Sequence, residues 1–127
     1  MKQLTEEWIS KAEGDYHTML RESRAEHFPN FDAVCFHAQQ CVEKYLKARM
    51  CEAEVRIGRS HDLVAILEMA MDIEPSWRQF KEDMAYLSQF SVVFRYPGES
   101  ADASLASDSI DRCERFRQAA RTSFGLE

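Results

Sequence analysis

Apolar residues recur at three- and four-residue steps along almost the whole chain, the period of a helix that buries one face. A half-buried strand alternates instead, so sheet is excluded as the main element. Chain breakers are sparse too. Four Gly and three Pro in 127 residues argue against a loop-rich all-β protein. The length suits one domain, residues 1–127, around one core. The expected fold is all-α: an antiparallel, up-down bundle of four long helices plus a shorter one.

The first helix is predicted over about 5–24, with Trp8, Ala12, Tyr16, Met19 and Ser23 as its inner stripe. Thr5 reads as its N-cap, with Glu6 and Glu7 near the positive helix end. AEHFPN ends it, since Pro29 disfavours helical geometry at Phe28. A second helix covers about 31–51. RIGRS follows as a loop broken at Gly58, and Ser60 reads as the N-cap of a third helix with Asp62 in its first turn. Pro75 suits the first position of a fourth helix, carrying Trp77, Phe80, Met84, Leu87, Ser91 and Phe94 to a stop around 95–96 before Pro97 and Gly98. After GESADAS a fifth helix runs to about 124, with Gly125 as its C-terminal cap.

The second helix holds FHAQQCVEKYLKARM and has two faces. Phe31, Val34, Cys35, Ala38, Val42, Tyr45 and Leu46 gather on a core-facing arc. Phe36, Gln40, Glu43 and Lys47 fall on the opposite one. That second arc reads as solvated surface with a Glu43–Lys47 ion pair, or as an interface whose Phe is rimmed by polar groups. Phe36, Gln40 and Glu43 are accordingly the candidate dimer face, with Gln39 and Gln40 able to hydrogen-bond across a helix pair.

The formal net charge of −6 means that the molecule as a whole does not attract nucleic acid or anionic lipid. Binding of either needs a local basic patch. The best candidate is the run carrying Lys44, Lys47, Arg49, Arg56 and Arg59, interrupted by Glu52 and Glu54, though such runs are usually solvated faces. Cys35, Cys41, Cys51 and Cys113 form no CxxC pair and no signal peptide precedes them, so reduced thiols and a cytoplasmic location are expected. The four histidines, 17, 27, 37 and 61, are scattered, and His17, His27 and His37 read as surface residues. Neither a metal nor any other cofactor is expected. Uncharged runs are too short to cross a membrane.

Four elements then stand in order: Trp8-x3-Ala12-Glu13-x-Asp15, FHAQQCVEKYLKA, Ser60-His61-Asp62-Leu63, and Phe94-Arg95-Tyr96-Pro97. Together they resemble a HEPN domain of the small prokaryotic type, from Trp8 to the last helix. The resemblance implies a compact helical bundle that pairs into a homodimer. It also implies the company of a minimal nucleotidyltransferase, commonly as a toxin–antitoxin-like pair. Several branches of that family are metal-independent ribonucleases; others bind nucleotides or act as inactive interaction modules.

The ribonuclease branches use an Arg-x4-6-His pattern on a late helix. Metal-independent RNA cleavage needs a group to move protons at the ribose oxygens and a cation to stabilise charge on phosphorus. Here Arg95 stands where that Arg is sought, but no His follows His61. Arg56-Ile-Gly-Arg-Ser-His61 matches the spacing formally, across a loop and helix start. The expectation is therefore a module without the usual ribonuclease site and with no catalytic residue assigned. Its nucleotide or RNA would meet Lys47, Arg95, Tyr96 and Glu43, and Arg56 and His61 are secondary candidates. The alternatives are an active ribonuclease with a non-standard site, and a structural interaction module with no ligand.

Overall fold

The helix carrying FHAQQCVEKYLKARM lies at the centre of the bundle, with other elements on several sides of it. The computed structural model describes residues 1–91 and 97–127. Within them the helices are α1 (Gln3–Ser23), α2 (Phe31–Glu52), α3 (Leu63–Ala70), α4 (Lys81–Ser88) and α5 (Ala103–Ser123), with 3-10 segments at Pro75–Phe80 and Gln89–Ser91. Among the described residues there is no strand.

Cross-links between side chains define the packing. α1 and α2 are antiparallel: Lys2 reaches Glu52 and Glu54 at one end, Asp15 meets His37 and Lys44 midway, and Glu22 accepts from the Asn30 backbone at the other end. α5 runs alongside α2 in the same direction. Asp32 accepts from the Ala101 amide, Ser109 lies 3.4 Å from the Cys35 sulfur, and Arg121 donates to Tyr45. α4 returns antiparallel to α5, with Asp83 held by Arg112 and Arg115 at one end and Tyr86 reaching the Leu105 carbonyl at the other.

The core is continuous. Tyr45, Phe116, Met19, Leu46, Met50 and Met84 are among its largest fully buried side chains. Each such group contributes about 1.5–3 kcal/mol on burial. Trp77 and Phe80 both meet Phe116 edge-on, with ring centroids 4.9 and 5.3 Å away. Cys35, Cys41 and Cys113 fill core positions as free thiols.

Several local expectations change. The fourth helix begins as a 3-10 turn at Pro75 and becomes α-helical only at Lys81. In a 3-10 helix residues three apart eclipse, so Trp77 and Phe80 aim together at Phe116. Phe94, Arg95 and Tyr96 lie outside the described residues. Thr5 is not a cap. α1 starts two residues earlier, and the buried Thr5 hydroxyl donates to Glu52 at 2.9 Å. Asp62, not Ser60, caps α3, accepting from the Val64 and Ala65 amides. The Ser60 hydroxyl accepts from the Asp62 amide instead. Gly125 does close α5. Its φ of +74° lets the Leu126 and Gly125 amides reach back to the Arg121 and Thr122 carbonyls. Glu54 ends α2 in the same left-handed way, at φ +59°, although it carries a side chain.

Candidate functional site

Residues 53–62 leave the end of α2 and fold back beside it, which brings His61 next to Glu43. Glu43 is only 3% exposed. Gln39 donates to its Oε1 at 3.0 Å, Lys47 pairs with Oε2 at 3.1 Å, and the His61 Nδ1 lies 3.0 and 3.1 Å from the two oxygens. Gln40 in turn donates to Gln39. A carboxylate only accepts, so the His61 proton in these contacts belongs on Nδ1, and Nε2 has no hydrogen-bond partner among the described residues. Lys47 is 8% exposed, and its ammonium stands 5.8 Å from the centre of the Trp8 ring.

The arc expected at the surface of α2 is therefore interior at Glu43 and Lys47. The reason is topological: α1 covers one flank and the returning loop the other. Phe36 and Gln40 are half-buried, and Phe36 packs edge-on against His37. His37 is not a free surface residue, since its Nδ1 lies 2.7 Å from Asp15.

A cleft of about 640 Å³ opens between α1 and the returning loop. Leu4, Trp8, Val55 and Ile57 form apolar walls, and Lys47, Arg56, Arg59 and His61 border it, with Glu54 as the only acid. Cys51, half-buried, also lines it. Leu4 is 56% exposed and Val55 37%, so two of the chain's exposed large hydrophobic side chains adjoin this one cleft.

The basic run divides in two. Lys44, Lys47 and Arg49 are each paired, to Asp15, Glu43 and Glu74. Arg56 and Arg59 are exposed and have no ion-pair partner among the described residues. Two unpaired guanidiniums beside an aromatic wall suit an anionic group attached to a flat apolar one. So Lys47 and the secondary candidates Arg56 and His61 converge on one cleft, Glu43 supports it from inside, and Phe36 and Gln40 lie away from its lining. Trp8 and Arg59 belong to the cleft as well. The helical wheel assigns Trp8 to the core stripe, and only the fold-back of 53–62 sets it opposite the two arginines.

The remaining ionic clusters tie helices together. Glu13 accepts from Tyr45 and is gripped by two Arg117 nitrogens, Nη2 at 2.6 Å and Nε at 2.8 Å. Burial on its own would raise the Glu13 pKa, but the hydrogen bonds from Arg117 and Tyr45 outweigh it and hold the carboxyl below its ordinary range. Asp15 behaves alike: burial opposes ionisation, while His37 and Lys44 more than offset it. Among the described residues no helix is long and apolar enough to cross a membrane, and no group of three His, Cys, Asp or Glu side chains is placed to hold a metal ion.

A family model of the HEPN domain matches residues 5–123, nearly the whole chain. No curated protein and no solved structure matches it.

Proposed function

Because the chain belongs to the HEPN domain family, we propose that it is a binding module whose ligand, a nucleotide or RNA, sits in the cleft between Trp8 and loop 53–62. Family membership supports a nucleotide- or RNA-related role in general terms. The observation that carries the finer reading is the pair of arginines, Arg56 and Arg59, without ion-pair partners among the described residues and lining one cleft with Trp8 in a chain of net charge −6. A planar guanidinium matches phosphate oxygens two at a time, and an indole face accepts any base. On this reading the module lacks the usual ribonuclease site, since no His follows Arg95. It works as a homodimer through the Phe36–Gln40 face and alongside a minimal nucleotidyltransferase, as in a toxin–antitoxin-like pair. Lys47 and Glu43 shape the cleft; Arg95 and Tyr96 stay candidate contacts.

Intrinsic fluorescence tests the cleft. Trp77 is 2% exposed and serves as an internal reference, while Trp8 lines the site. Oligouridylate added at low salt should quench Trp8, and Trp8→Phe should abolish the quench. A titration with no change in emission and no binding by calorimetry would overturn the reading.

One observation favours a second reading, a ribonuclease with a non-standard site. Glu43 holds His61 by Nδ1 and leaves Nε2 without a partner among the described residues, and His61 shares the cleft lining with Arg56 and Arg59. That is the arrangement of an oriented base beside cations. RNA left intact after long incubation with purified protein rejects this second reading.

A further inference from the structure

Two further hollows adjoin the cleft. One, of about 540 Å³, is lined by His61, Asp62, Ala85, Ser88, Gln89 and Ser91. The other, of about 250 Å³, is lined by Leu4, Glu7, Trp8 and Lys11. The first shares His61 with the central cleft, and the second shares Leu4 and Trp8 with it. Each outer hollow therefore shares a wall residue with the central cleft. Their chemistry changes along the way: hydroxyls and an amide at one end, an indole with two guanidiniums in the middle, an apolar hollow with a lysine at the other. Lys11 is exposed and, like Arg56 and Arg59, unpaired among the described residues.

A mononucleotide fills one hollow and leaves Lys11 and Gln89 without a role. Only a polymer touches all three. We propose that this track takes a single strand of about three nucleotides, running over His61 and Trp8 with Lys11 at one end and Gln89 at the other, a proposal that rests on the cleft being a nucleotide site. A paired base offers no free face to Trp8, so the strand must be single. Arg56 and Arg59 in the central cleft and Lys11 in the apolar hollow flank the Trp8 ring that lines both, as phosphates flank a base. Each hollow has one acid in its lining, Glu7, Glu54 or Asp62, against the cations Lys11, Arg56 and Arg59.

The test is a length series of uridylates of one, two and three nucleotides, with a three-base-pair-matched hairpin duplex as comparator, each titrated by calorimetry at low salt. Each added nucleotide should tighten binding roughly fivefold or more, the low end for one stacked base. For the trimer, the slope of log affinity against log salt should be about −2, from three phosphate-contacting cations on a single strand. Lys11→Ala and Gln89→Ala, both exposed positions, should each erase the gain of one added nucleotide. A monomer that binds as tightly as the trimer overturns the track and leaves the cleft standing. A duplex that binds as tightly as the single strand also overturns it. If no uridylate binds, the cleft reading falls together with the track.

Discussion

Glu43 and Lys47, one turn apart on α2, form their 3.1 Å ion pair inside the bundle, where neither side chain is more than a tenth exposed. Removing one partner leaves the other charged and buried. Glu43→Ala should cost about 3–5 kcal/mol of folding stability by urea titration, and Lys47→Ala a comparable amount. The double variant Glu43→Leu/Lys47→Met should cost clearly less than the two singles together, because it leaves no orphan charge. Additive losses would mean that the pair carries no coupling.

Acid should weaken the ties of α1 to α5, through Glu13, and to α2, through Asp15. The Glu13 and Asp15 carboxyls titrate below their ordinary values of 4.5 and 3.8 in the folded chain. The unfolded chain therefore takes up their protons at higher pH than the folded one does. Their contribution is complete above about 4.5 and is lost as pH falls through the lowered folded values. Urea midpoints measured from pH 6 downward should fall below pH 4.5, and Arg117→Ala should flatten that limb. An Arg117→Ala limb as steep as the parent's would assign the acid sensitivity to other groups.

The α3 cap separates two neighbouring residues. Asp62→Ala should cost about 1 kcal/mol, since it frees the Val64 and Ala65 amides. Ser60→Ala loses one exposed hydrogen bond to the Asp62 amide and should cost less than half as much. Equal losses at the two positions would restore Ser60 as a cap.

Glu54 combines a strained backbone with an unwelcome charge. It holds φ at +59° and is the one acid lining the central cleft. Its bridge to Lys2 is exposed and contributes little. Glu54→Gly should raise the melting temperature and tighten uridylate binding, whereas Glu54→Gln should tighten binding with no gain in stability. A Glu54→Gly protein that melts lower shows that the Lys2 bridge outweighs the strain.

The Phe36–Gln40 face has its own test. Phe36→Glu should turn a dimer into a monomer by light scattering while leaving the circular dichroism spectrum unchanged. A parent protein that is monomeric at tens of micromolar removes the dimer from the account.

Much of the bundle is legible in the sequence because helical periodicity is a local signal. α1, α2 and α5 fall within a few residues of expectation, and Gly125 closes α5 as a left-handed glycine should. The 3-10 start at Pro75 is harder to read, because a step of three residues fits both helix types. The α2 arc misleads for a deeper reason. Charge on a helical wheel signals solvent only when nothing covers that face, and whether Glu43 and Lys47 are covered depends on where residues 53–62 return. The same fold-back assembles the cleft from Trp8 on one side and Lys47, Arg56, Arg59 and His61 on the other, about forty or more residues further along the chain. Arg56 stands out in sequence through a basic run and a spacing, His61 through that spacing and a helix-start element, and no local pattern joins either to Trp8.

The central claim is that Arg56 and Arg59 make the cleft an anion site. Calorimetric titration of the parent and of Arg56→Ala/Arg59→Ala with triuridylate at low salt tests it most directly. Both side chains are exposed, so the double variant should keep its fold and melting temperature. The account expects binding by the parent and a loss of about a hundredfold in the variant, roughly tenfold for each charge-assisted phosphate contact. Equal affinity in the two proteins would contradict it.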